Sequence, residues 1–176
     1  MNKGLVYLFT GDGKGKTSAA LGVAVRAVCA GKKVGWVSFY KTDEYPVSEK
    51  KLPKVLKDSK KLEMYFMGEG FYKLPGDKAT PEKHQKAAKE ALKKAEELMS
   101  KVNVLVLDEA VKALDDRLLE PIEVIELLSK REETHVILTG RGGGGILMEQ
   151  ADLVTECKKI KHPFDRGVKA VKGLDF

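Results

Sequence analysis

Six short runs dominated by apolar and β-branched residues recur along the chain, at 5–9, 33–40, 62–67, 104–107, 135–139 and 153–158. The runs at 5–9 and 104–107 are apolar at nearly every position, as expected of strands covered on both faces. Between the runs the apolar spacing lengthens to the helical period. From Lys16, one stripe carries Ala20, Val23, Ala24, Ala27 and Val28 and stops near Gly31, a suitable C-terminal cap. A longer helix is predicted after Thr80, with Pro81 at its first position and Ala87, Ala88, Ala91, Leu92, Ala95, Leu98 and Met99 facing inward. Further helices are predicted over 121–130 and from the glycines near 142–145 to Ala151, and a short one from Ser48 or Pro53 to Lys57. The final stretch, 160–176, reads as irregular with one further strand around 168–171. Strand and helix alternating at this spacing predict one α/β domain over 1–176, with a mostly parallel sheet of about six strands flanked by helices.

Composition narrows this picture only a little. The 176 residues suffice for one substantial core and not for two. The net charge of +6 would suit a polyanionic partner, yet charged residues are a third of the chain and well mixed. The lysines between 50 and 61 have no aromatic neighbours to stack bases, so no nucleic-acid partner is expected. No apolar run approaches the roughly 18 residues that span a bilayer, and the first residues lack a signal-peptide pattern, which predicts a cytoplasmic protein without a membrane partner. Cys29 and Cys157 have no metal spacing and are expected to be small buried residues.

The chemistry concentrates in Thr10-Gly11-Asp12-Gly13-Lys14-Gly15-Lys16-Thr17, between the first strand and the first helix. Glycines at 11, 13 and 15 let backbone N–H groups converge on an anion, and the helix opening at Lys16, Thr17 and Ser18 adds the positive end of its dipole. Lys14 and Lys16 can reach phosphate oxygens, and the Thr17 hydroxyl can ligate magnesium. The first glycine of the usual phosphate-loop pattern is replaced by Thr10, with Gly11 one place late. A second magnesium contact is expected from Asp108 and Glu109, at the carboxyl end of the most apolar strand. Arg141 follows the fifth strand, in a glycine run capable of forming an anion nest or a flexible loop. His162 reads as structural. These residues predict a magnesium-dependent nucleotide-binding protein with its site at the carboxyl edge of the sheet. They leave the reaction open between a small-molecule kinase, with Arg141 acting on the phosphates, and a RecA-like nucleic-acid-binding ATPase.

Several blocks in register from one end of the chain to the other narrow the choice: 10–20 (TGDGKGKTSAA), Phe39 with Lys41, 68–71 (GEGF), 107–109 (LDE), 138–142 (LTGRG), 151–156 (ADLVTE) and 160–176 (IKHPFDRGVKAVKGLDF). Together they resemble the P-loop family of ATP:corrinoid adenosyltransferases, whose phosphate loop carries the same threonine. The resemblance implies a single P-loop, RecA-like domain that transfers the adenosyl group of ATP to a corrinoid in cobalamin biosynthesis or salvage. The cobalt of a Co(I) corrinoid attacks the 5′-carbon of an ATP lying reversed in the loop, and intact triphosphate leaves. Such a nucleophile needs no general base. The resemblance further implies Lys16, Lys14 and Arg141 as catalytic residues, Thr17, Glu109 and Asp108 on magnesium, and Phe71 with Tyr72 pressed against the corrin. The family's second aromatic is replaced by Lys73. An external electron donor, a flavoprotein, and a homodimer are also implied. Some relatives carry an N-terminal helix over the corrinoid, and here that cover is expected to be absent or supplied otherwise.

Overall fold

A computed structural model describes residues 3–42, 46–56, 59–142 and 144–176. The strands are β1 (Val6–Thr10), β2 (Val34–Ser38), β3 (Leu62–Phe66), β4 (Val104–Asp108), β5 (His135–Thr139) and β6 (Leu153–Glu156). The helices are α1 (Lys16–Cys29), α2 (Leu52–Val55), α3 (Pro81–Met99), α4 (Ala110–Asp115), α5 (Pro121–Ser129) and α6 (Gly144–Gln150). All six strands form one sheet in the order β3-β2-β4-β5-β1-β6, and every pairing is parallel. A single strand, β5, therefore separates β1 from β4.

Successive strand residues point to opposite faces of a sheet, and the two cores sort accordingly. Leu105 and Leu107 of β4, with Val136 and Leu138 of β5, join the core beneath α3, α4, α5 and α6. Val104, Val106 and Ile137 join the opposite core, under Ala20, Ala24, Ala27 and Val28 of α1. Both faces of the central strands are thus dry, which is why their sequence is continuously apolar. The edge strand β6 pairs only with β1, so its expected continuation to 158 stops at Glu156, opposite Thr10, where β1 itself ends.

The expected helix starts hold: Thr80 caps α3 by accepting from the Lys83 N–H at 3.4 Å, and Pro81 opens it. His84 joins the buried stripe of α3, and Leu92 is only partly buried. The lysine-rich segment forms a 3₁₀ turn, Ser48–Lys51, running into α2. The expected end of that helix at Lys57 and Gly143 of the glycine run fall outside the described residues.

Two expectations are corrected, and one element is new. Residues 168–171 form no strand, since Val168 and Val171 are exposed and the sheet already ends at β6. Cys29 is exposed at the end of α1 and Cys157 is half-buried, because the stripe that α1 turns to the sheet runs through Ala24, Ala27 and Val28 instead. The short helix α4 after Asp108 had no sequence signal. Among the described residues no helix is long and apolar enough to cross a membrane.

Candidate active site

The phosphate loop joins the end of β1 to the start of α1 at the carboxyl edge of the sheet. Thr10 is the last, buried residue of β1 and keeps a strand conformation, so no glycine is needed there. The chain turns at Gly11, with φ +102. The glycines have a second task, since residues 157–159 lie directly against the loop. The Gly13 N–H donates to the Cys157 carbonyl at 2.6 Å, and the Cys157 N–H donates to the Thr10 carbonyl at 2.8 Å. A β-carbon at Gly11 or Gly13 would stand 2.5 or 2.7 Å from the Cys157 carbonyl oxygen.

The buried Lys16 ammonium curls over its own loop and donates to the carbonyls of Gly11 and Gly13, at 2.8 and 2.7 Å. Burial lowers its pKa below the ordinary lysine value. Lys14 pairs instead with Asp175, far along the chain. Asp12 accepts the Lys159 N–H at 3.0 Å, and that bond holds its carboxyl below the usual range. Of the expected phosphate ligands, Lys14, Thr17 and Ser18 line the main cleft, whereas Asp12 serves to tie residues 157–159 to the loop.

Asp108 is fully buried at the end of β4 and collects four donors. Its Oδ1 accepts from the hydroxyls of Thr17 and Thr139, both at 2.9 Å, and its Oδ2 accepts from Ser38 and Lys41, both at 3.0 Å. A carboxylate offers about four acceptor positions, so this one is filled. The donors come from α1, β5, β2 and the turn after β2, fixing four elements on one group. Lys41 also pairs with Glu49 at 2.9 Å. Burial alone would lower the Lys41 pKa, yet Asp108 and Glu49 together hold it above the ordinary lysine value.

Glu109 follows in a left-handed conformation, φ 64, with its N–H donating to Thr139 Oγ1 at 2.9 Å. Its carboxyl is pushed up to about 7 by burial and then by the charge of Asp108, against the pull of Lys41, Lys16 and Arg141. Arg141 is exposed just past β5, close enough for its charge to act on Asp12, Lys16 and Glu109. His162 accepts the Phe164 N–H at 3.1 Å and opens a 3₁₀ turn, the structural part expected of it.

Thr17, Ser18, Lys14 and Glu109 open onto a cleft of about 1010 Å³. Its far walls are apolar: Leu21 and Val25 of α1, Leu52 and Val55 of α2, and Leu174 with Phe176. Phe71 lines it too, stacked on buried Tyr40 with ring centroids 5.8 Å apart. Tyr72 is not among the lining residues. Its ring packs on His84 at 5.0 Å, with the Lys73 ammonium 4.7 Å above it. The two aromatics expected to act together therefore face different surroundings.

Sequence reasoning missed Ser38, Thr139 and Glu49 as parts of this site. Ser38 and Thr139 had a signal in common with Thr10: each is the polar last residue of an otherwise apolar strand, where an α/β sheet presents its ligands.

Comparison with known proteins bears on the chain as a whole. Residues 2–176 match the family model described as ATP:corrinoid adenosyltransferase BtuR/CobO/CobP. The corrinoid adenosyltransferase of Escherichia coli (strain K12) is 37% identical over 177 residues, covering 99% of this chain and 86% of that protein. The corrinoid adenosyltransferase of Sinorhizobium sp is 37% identical over 182 residues, 99% of this chain and 81% of its own length. Among solved structures, a KaiC-like protein, PH0186 from Pyrococcus horikoshii OT3, aligns with a TM-score of 0.49 and 19% identity, over 89% of this chain and 74% of that one.

Proposed function

The chain belongs to the ATP:corrinoid adenosyltransferase family, and we propose that its cleft carries out the family's reaction with the phosphate loop holding the triphosphate and Phe71 facing the corrinoid. The observation that carries this reading is the two-ended cleft. Lys14, Lys41, Glu49 and Glu109 stand with the loop and the Asp108 network, and the rest of the lining is mostly apolar, with Ser48 and Lys51 on the turn into α2. A triphosphate suits the first environment and a nucleoside beside a corrin ring suits the second.

The cobalt lone pair of the reduced corrinoid forms the bond to the 5′-carbon of ATP. The 5′-carbon–oxygen bond breaks, and its electron pair departs on triphosphate. No proton has to move, so the site needs no base. Its work is alignment of the two substrates and stabilisation of charge gathering on the leaving oxygens. Lys16 is suited to this by exchanging its two loop carbonyls for phosphate oxygens, and Lys14 by its position on the cleft wall. Arg141, whose charge reaches Asp12, Lys16 and Glu109, adds positive potential.

The residues present fit a magnesium ion. Thr17 gives its proton to Asp108, leaving its oxygen lone pairs for a cation. Glu109 has a buried carboxyl whose charge is disfavoured, and a divalent cation would relieve that. Thr17 and Glu109 would hold the ion, with Asp108 acting through the Thr17 hydroxyl. Bound magnesium neutralises part of the triphosphate charge.

Electrons for the corrinoid come in this reading from a separate donor, taken to be a flavoprotein, since two cysteines are too few to hold an iron–sulfur cluster in this chain. A homodimer is supported by the exposed apolar residues Ile146 and Met148 of α6 and Leu153 and Val154 of the edge strand β6. Mixing the protein with magnesium, ATP and chemically reduced cobalamin tests the reading. A light-sensitive alkylcorrinoid spectrum is expected, and a spectrum that stays unalkylated with active protein contradicts it.

A further inference from the structure

Residues 170–176 form one wall of the cleft, and two contacts fasten them across it. On one side Asp175 pairs with Lys14 of the phosphate loop. On the other, the Ser48 hydroxyl donates to the Phe176 carbonyl at 2.9 Å, from the 3₁₀ turn that leads into α2. Ala170, Gly173, Leu174, Asp175 and Phe176 all line the cleft between these anchors. The segment holds its own shape: the Asp175 N–H donates to the Val171 carbonyl at 2.8 Å, and the Val171 N–H donates to Asp175 Oδ2 at 2.6 Å. One carboxylate thus organises the turn and occupies the loop's forward lysine.

We propose that Asp175 stands on Lys14 as a phosphate mimic, so that the triphosphate of ATP displaces it, releases the 170–176 segment and opens the cleft for the corrinoid. This rests on the assignment of Lys14 to the triphosphate. The chemistry favours displacement. A triphosphate brings several negative charges to a loop whose N–H groups and helix dipole add to the lysine, whereas Asp175 offers one. The pair is open to water, chiefly on the Lys14 side, with side chains 46% and 22% exposed, so it is weak enough to yield. Leu174, exposed at 82%, then swings with the backbone at no cost in core packing. The segment therefore sets an order of events: nucleotide first, corrinoid second. A Co(I) centre is kept from a cleft that holds no 5′-carbon to receive it.

The population argument fixes the size of the effect. A contact that must open before ligand binds weakens the apparent affinity by the fraction of time it is closed. For a pair of this exposure the penalty is about two- to fivefold. Asp175→Asn removes the charge while keeping an acceptor for the Val171 N–H, and Ser48→Ala loosens the opposite anchor without altering any charge. Both variants are expected to bind ATP about two- to fivefold more tightly by calorimetry. Asp165→Asn removes an equal charge from the Lys159 pair, outside the strap, and is expected to leave ATP affinity unchanged. In the wild type, tripolyphosphate alone is expected to speed tryptic cleavage after Lys172, and in Asp175→Asn that cleavage is expected to be fast without it. Unchanged or weaker ATP binding in both strap variants, equal tightening in Asp165→Asn, or cleavage after Lys172 that tripolyphosphate leaves unaltered would each overturn the proposal while adenosyl transfer persists. Wild-type protein that binds no ATP would overturn it together with the assignment of the site.

Discussion

The hydroxyl of Thr17 donates to Asp108 across 2.9 Å, joining the first turn of α1 to the end of β4 over the intervening strand β5. Thr139, at the end of β5, fills the gap by donating to the same oxygen at 2.9 Å. The phosphate loop and the acidic strand are thus held in register by one buried carboxylate. What Asp108 contributes is alignment of Thr17, Ser38, Lys41 and Thr139, and through them the shape of the phosphate end of the cleft.

Replacing Asp108 by Ala leaves the Lys41 ammonium facing only Glu49 and strips the three hydroxyls of their acceptor. Breaking a buried, hydrogen-bonded charge in this way typically costs about 3–5 kcal/mol. Urea denaturation is expected to show a loss of that order, together with loss of ATP binding. Stability within about 1 kcal/mol of wild type, the range of an exposed pair, would show that the network is not structural.

Gly13→Ala tests the close approach of residues 157–159 to the loop. The added β-carbon stands 2.7 Å from both the Cys157 carbonyl oxygen and the Lys158 carbonyl carbon, backbone atoms that cannot rotate aside. Overpacking of this kind costs about 1–3 kcal/mol. Thermal melting is expected to show that loss, and ATP affinity is expected to fall with it as the loop shifts.

For Lys16→Ala the expectation is reversed between stability and activity. Among the described residues the ammonium donates to two neutral loop carbonyls, of Gly11 and Gly13, so its removal leaves no carboxylate without an ion-pair partner. Folding should stay near wild type, while turnover falls by about 10²–10³, the usual effect of losing one donor on developing negative charge. Steady-state kinetics beside a melting curve separate the two effects.

Phe71→Ala asks whether the cleft aromatic helps to reduce the corrinoid. Phe71 lies on the cleft, backed by Tyr40 at 5.8 Å. A larger loss is expected when cob(II)alamin must be reduced on the enzyme than when Co(I) is supplied. Equal losses would mean that Phe71 only shapes the wall. Tyr72→Ala should affect the two assays alike and weakly, because its ring rests on His84.

Local signals carried most of the fold and part of the site. β5 starts and stops at the residues its apolar run predicts, α3 begins at its cap, and the glycine loop bends where its spacing demands. Each of these depends on near neighbours in the chain. What stayed hidden is long-range. The convergence of Ser38, Lys41 and Thr139 on Asp108 brings together residues 31 to 70 positions away from it. Nothing in the glycine loop or in the final residues announces the pair between Lys14 and Asp175, and the six-residue α4 is too short for its period to register. Cys29 was misjudged because residue type suggests burial, whereas its place at the end of α1 turns it to solvent.

Which bond of ATP breaks is the central question, and phosphorus-31 NMR of the spent nucleotide answers it most directly. With magnesium, ATP and a Co(I) corrinoid, the account predicts tripolyphosphate in one-to-one yield with adenosylated corrinoid and no growth of ADP. ADP or orthophosphate as the primary product would contradict it and return the cleft to phosphoryl transfer.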